Sequence, residues 1–91
     1  MRMPIECEYD PSKSINNLEK HGISFEEAKN LWTDVNRVRI QARSDTEPRF
    51  ALIAIYKEKT WTAFYTIRKD QIRIISVRRA REQERRLYYE S

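Results

Sequence analysis

Three stretches of strand-forming residues follow one another with almost nothing between them: Arg49 to Tyr56, Trp61 to Arg68 and Gln71 to Val77. Each is rich in β-branched and aromatic residues. The links, Lys57-Glu58-Lys59-Thr60 and Lys69-Asp70, are too short to hold a crossover helix. Strands joined this closely must run antiparallel, so the second half of the chain is expected to form a meander. A weaker strand pattern, Val38 to Arg43, precedes them across the polar loop Ser44 to Pro48. Near the start, Ile5, Cys7 and Tyr9 alternate with Glu6 and Glu8, which predicts a short strand with one wet face.

Between these β regions lie two helix signals. Asp10 followed by Pro11 is a cap and a first-turn proline, and the helix is expected to run to about Lys20 with Ile15 and Leu18 facing inward. Gly22, the single glycine, stands where a left-handed residue ends a helix. Ser24 with Glu27 reads as a capping box, and Ile23 with Ala28 as a hydrophobic staple. Phe25, Ala28, Leu31 and Trp32 mark the buried stripe of this second helix. A last helix is expected from about Ala80 to Tyr89. The order β-α-α-β-β-β-β-α predicts one α+β domain over residues 1–91, a sheet packed on one side by helices.

The chain has 91 residues, 40% hydrophobic and 35% charged, which fits a small soluble globular domain. The formal net charge of +4 is unevenly spread. Residues 1–31 hold 4 Lys/Arg against 6 Asp/Glu, whereas residues 68–91 hold 8 against 4. An arginine-rich, electropositive C-terminal part has a polyanion as its natural partner, although a solvated charged face is the commoner fate of such a run. Arg78 and Arg79 sit where the apolar strand runs into the last helix with no turn residue before them, a place where an RNA phosphate would give them a purpose. Cys7 is the only cysteine, so no internal disulfide is expected and a reducing cytoplasm is suggested. No apolar signal core opens the chain, and the apolar run Ala51 to Tyr56 is too short to span a membrane. One His, one Cys and one Gly leave no convincing metal-ligand set and no glycine-rich phosphate loop, so no metal and no cofactor are expected.

Asp10-Pro-x-Lys13-x-x-x-Asn17-x-x-Lys20-His21-Gly22-Ile23-Ser24-Phe25-Glu26-Glu27-Ala28 resembles the opening of BrnT-type toxins. Tyr65-Thr66-x-Arg68, then Ile72-Arg73-Ile74-Ile75-Ser76-x-Arg78-Arg79-Ala80 and Glu84-Arg85-Arg86-x-Tyr88, are similar to later motifs of that family, as is Glu47-x-Arg49-Phe50. The resemblance covers nearly the whole chain in order. It implies a RelE-like fold, an antiparallel sheet with two N-terminal helices and one C-terminal helix. It also implies a metal-independent endoribonuclease toxin of a type II toxin–antitoxin pair, with a ribbon-helix-helix antitoxin encoded beside it that carries the contact with operator DNA. Ile67 departs from the pattern, standing where the family often has Glu, and Tyr9 stands where it often has Trp.

Metal-free RNA cleavage by the 2′-hydroxyl needs a base, an acid and cations around the phosphorane. Arg78 and Arg79 are the first candidates for charge stabilisation, on the expectation that the strand-to-helix junction turns both into one concavity. The alternative is a salt bridge from one of them to Glu82. Arg68 belongs to the Tyr-Thr-x-Arg match and is the next catalytic candidate. Arg73, Arg81 and Arg85 extend the basic face as substrate-binding candidates, with an antitoxin contact the competing role for Arg73. His21 is the only histidine and the leading proton-transfer candidate, with Lys20 holding phosphate. Against that stands a plain helix end, where Lys and His answer the macrodipole. The motif is expected at the edge of the same basic concavity as Arg78. A toxin that inhibits a protein target without enzymatic activity, or a co-repressor acting with its antitoxin, is the rival reading.

Overall fold

Both long hairpins turn on two residues that carry side chains in the left-handed region. Lys57 and Glu58 have φ of 51° and 66°, and Lys69 and Asp70 have φ of 50° and 67°. Paired positive φ values give the turn whose twist matches that of the flanking strands, even though none of the four residues is glycine. The computed structural model describes residues 7–43 and 45–91. Ile5 and Glu6 of the first strand pattern, and Ser44 of the polar loop, lie outside the described residues. The elements are β1 (Cys7–Glu8), α1 (Pro11–His21), α2 (Phe25–Ala28) running into a 3-10 helix (Lys29–Thr33), β2 (Val38–Ala42), β3 (Arg49–Tyr56), β4 (Lys59–Arg68), β5 (Gln71–Arg79) and α3 (Glu82–Glu90). They build one five-stranded sheet in the order β1-β5-β4-β3-β2, antiparallel except for the β1–β5 pair. The expected α+β class and meander are both present.

Three sequence expectations shift. The first link is a two-residue turn, not four, so Lys59 and Thr60 belong to β4. Strand β5 continues through Arg79 because Arg78 and Arg79 pair with Thr62 and Trp61, and α3 therefore begins two residues later than Ala80. The helices also divide between two faces instead of sharing one. Leu52, Ala54, Trp61, Ala63, Tyr65, Ile74 and Val77 pack under α2 and the 3-10 helix with Ile23, Phe25, Ala28, Leu31 and Trp32. Ile53, which must point the other way on β3, packs with Ala80 and Tyr88 of the C-terminal region. Each large apolar side chain so buried contributes about 1.5–3 kcal/mol.

The caps read from sequence are in place. The Asp10 carboxylate accepts from the Ser12 amide, Gly22 has φ of 81°, and Ser24 and Glu27 form a reciprocal box. Ile15 and Leu18, however, are 59% and 46% exposed, against the expectation that they face inward. The inner face of α1 is polar instead. The Phe25 amide, an otherwise orphaned first-turn donor, donates to Ser14 Oγ at 2.9 Å. Asn17 donates to the Ile23 carbonyl at 2.8 Å and accepts from the Val77 amide at 3.1 Å. Among the described residues β1 pairs with β5 at Ile72 and Arg73, and the Asn17 side chain satisfies the β5 edge further along at Val77.

The α3 end is fixed by one carboxylate. Asp34 Oδ2 accepts from the Ile55 amide at 2.9 Å and from the Tyr88 hydroxyl at 2.7 Å, while Oδ1 accepts from the Asn36 amide at 2.9 Å. Burial pushes this carboxyl up, but those three donors outweigh it and hold it below the ordinary range. Burial and the Asp34 carboxylate together push the Tyr88 phenol up to about 12.

Candidate active site

Arg78 and Arg79 are neighbours on an extended strand, so their side chains leave opposite faces of the sheet. The expectation that one concavity receives both is therefore corrected. Arg78 lies on the α3 face. Its two terminal nitrogens donate to the two oxygens of Glu84, each at 2.8 Å, and its guanidinium stands 5.1 Å from the Phe64 ring centroid. Glu84 also accepts from Thr62 Oγ1 at 2.9 Å and from the Arg81 amide at 2.7 Å. Burial pushes the Glu84 carboxyl up, but Arg78, the Arg81 amide and Thr62 overcome it and bring the value down to about 2. The salt bridge thus goes to Glu84 at the start of α3, not to Glu82, which pairs with Arg86.

Arg79 emerges on the face carrying α1 and α2. It lines a concavity of about 220 Å³ together with His21, Gly22, Glu27, Tyr56, Lys57, Lys59 and Trp61. The Arg79 guanidinium stands 5.6 Å from the Trp61 ring centroid, with no carboxylate within salt-bridge distance among the described residues. The turn of α1 into its left-handed Gly22 brings His21 to the rim. The tight β3–β4 turn brings Lys57 and Lys59 to the opposite side. Among the described residues Glu27 is the only carboxylate in the lining; its Oε2 lies 3.7 Å from Lys57 Nζ and accepts from the Tyr56 hydroxyl at 3.4 Å. Three cations against one carboxylate leave a local surplus of positive charge beside a titratable imidazole. The carbonyl end of α1 repels anions, so the attraction comes from these side chains.

The other candidates sit elsewhere. His21 shares its concavity with Arg79 and not with Arg78, against expectation. Arg68 lies at the far end of β4, 3.3 Å from Glu47, and Arg73 pairs with Glu8 at 3.0 Å. They do not merge into one open basic face; a separate carboxylate answers each. Arg85 donates to the Ala80 carbonyl at 2.9 Å, and Arg81 stands at the N-cap of α3. Lys20 is exposed in the last turn of α1, beside His21. Among the described residues no group of three or more His, Cys, Asp and Glu is placed to hold a metal ion, and no helix is long and apolar enough to cross a membrane. Sequence reasoning did not single out Lys57, Lys59, Glu27 or Tyr56 for this site. Reading the hairpin as a two-residue turn would have put Lys59 on the strand near Trp61 and exposed the signal.

A small α+β domain with a basic, histidine-bearing cleft between a helix end and a sheet offers a surface suited to a polyanion. Residues 9–84 match the family described as ribonuclease toxin, BrnT, of type II toxin–antitoxin system, and the chain belongs to that family. Among curated proteins no relative matches. The family makes the chain a ribonuclease toxin with an RNA target and a cognate antitoxin.

Proposed function

We propose that this toxin is an endoribonuclease that cuts RNA without a metal and so arrests growth, acting in the cytoplasm. The observation that carries this reading is the grouping of Arg79, Lys57, Lys59 and the sole histidine around one concavity. The substrate's own 2′-oxygen attacks the adjacent phosphorus as His21 takes its proton. The bond to the 5′-oxygen breaks, the leaving oxygen receives a proton from the imidazolium, and a 2′,3′-cyclic phosphate remains. Arg79 holds the charge that builds on the phosphorane, steadied over Trp61. Lys57, Lys59 and Lys20 hold flanking phosphates. Arg68, Arg73, Arg81 and Arg85 add long-range attraction for RNA, and Arg78 fixes α3 through Glu84. The antitoxin is of the ribbon-helix-helix type, encoded next to the toxin, and makes the contact with operator DNA.

The test is cleavage of a defined RNA by the purified protein in excess chelator. Persistent cleavage with a cyclic phosphate end, abolished by a 2′-deoxy substitution at the cut nucleotide, is the expected result. Cleavage that stops with chelator, or that tolerates the deoxy substitution, removes the mechanism.

A further inference from the structure

On the same sheet face as the basic cleft, but at the other end of the strands, lies a second groove of about 480 Å³. Its floor is Leu52, Tyr65 and Ile72, its wall Trp32, and its lip the aliphatic pair Val35 and Ile67, 87% and 47% exposed. Arg37 and Arg39 stand on the rim. Arg37 donates to the Asp34 carbonyl at 3.1 Å, and Arg39 lies 5.2 Å from the Phe50 ring centroid. Among the described residues neither is within salt-bridge distance of a carboxylate. The groove thus pairs an apolar lip with two rim guanidinium groups that no carboxylate holds at ion-pair distance among the described residues, although Arg37 lies within the field of Asp34 and Arg39 donates to the Tyr65 hydroxyl.

We propose that this groove is the docking surface for an acidic, aliphatic protein segment, and that Ile67 sets which partner fits. In a toxin–antitoxin pair the protein available to present such a segment is the cognate antitoxin, so the inference rests on the family membership and not on the cleavage mechanism. RNA is the poorer occupant. Trp32 and Tyr65 are only 7% and 2% exposed, so their ring faces are not free to stack on bases, and the accessible lining is branched aliphatic. An aliphatic side chain of the partner fills the space between Val35 and Ile67, and flanking Asp or Glu meets Arg37 and Arg39. The resemblance places a Glu at the Ile67 position in many relatives. A carboxylate there would answer the rim arginines from within and remove the apolar lip. With Ile, this chain requires both features of its partner, and an antitoxin matched to the Glu form would lack them.

The experiment is titration of the purified antitoxin from the adjacent reading frame against wild-type toxin, Ile67→Glu, and the double variant Arg37→Ala/Arg39→Ala, with RNA cleavage by each free toxin as a parallel readout. Ile67 is exposed and the arginines lie at the rim, and thermal melting checks that each variant is folded. Both variants are expected to weaken antitoxin binding at least about tenfold. The double variant is also expected to flatten the salt dependence of association, and cleavage should stay within about twofold of wild type. Binding unchanged in both folded variants overturns the proposal, as does a loss of cleavage with binding intact, which would make the groove an RNA site. If wild-type toxin cuts no RNA under any condition, the mechanism above fails while the binding comparison still decides the groove.

Discussion

Two adjacent arginines, on two faces of one strand, have opposite fates. Arg78 is held by a bidentate carboxylate, a backbone carbonyl and an aromatic ring, with its side chain 21% exposed. Arg79 leans on Trp61, with no carboxylate at ion-pair distance among the described residues, and faces a cleft in which cations outnumber carboxylates. A guanidinium held by a bidentate carboxylate and a backbone carbonyl is part of the fold. One with a free edge can give its hydrogen bonds to an incoming phosphate. On the proposed function, the difference between the two faces separates stability from activity at neighbouring positions, and substitutions can break that separation.

The largest effect is expected on the structural side. Arg78→Ala leaves the Glu84 carboxylate partly buried without its charge partner and should cost about 3–5 kcal/mol of stability. Chemical denaturation measures this, and a loss below about 1 kcal/mol would return Arg78 to the list of free cations. On the other face, Arg79→Ala should lower RNA cleavage by about 10²–10³-fold with the unfolding midpoint nearly unchanged. Wild-type cleavage in that variant would empty the cleft of its assigned role.

Acid sharpens the contrast. The Glu84 carboxyl falls from an ordinary value of 4.5 to about 2 in the folded protein. A depressed value contributes stability that is full above the unfolded value and is lost as the pH falls through the folded one. Unfolding free energy should therefore decline between about pH 5 and pH 2, by at most about 3 kcal/mol from this group. Arg78→Ala should remove most of that slope and Arg79→Ala should leave it intact, as read from denaturation curves across the range. The smallest effect belongs to Lys59→Ala, where losing one phosphate contact should lower kcat/KM about tenfold. A change carried by KM with kcat preserved fits a binding role; the reverse would move Lys59 into the chemistry.

Much of the scaffold is legible in the residues because its signals are local. Period-two apolar runs give the strands, and Asp10, Gly22, Ser24 and Glu27 mark helix ends by the hydrogen bonds or the backbone conformation they supply. The inner face of α1 is not legible in this way. Ile15 and Leu18 have helical spacing and apolar side chains, yet Ser14 and Asn17 are buried in their place, because distant backbone groups on Phe25, Ile23 and Val77 need partners. Nothing near Asn17 in sequence announces an amide 60 residues away. The candidate cleft is legible in part. His21 and Arg79 stand out by type, but the face each arginine takes depends on whether the strand ends before or after residue 78. Lys57 and Lys59 join the site only because a hairpin without glycine closes in two residues.

The cleft draws His21 from the first quarter of the chain and Arg79 from the last, and Asn17 reaches across to Val77 to hold those distant parts together. A nascent polypeptide stopped before residue 79 holds the imidazole but lacks the guanidinium, the end of β5 and all of α3. On the proposed mechanism, ribosome-bound and prematurely terminated forms would lack a complete cleft, and RNA cleavage would begin only when synthesis is nearly finished.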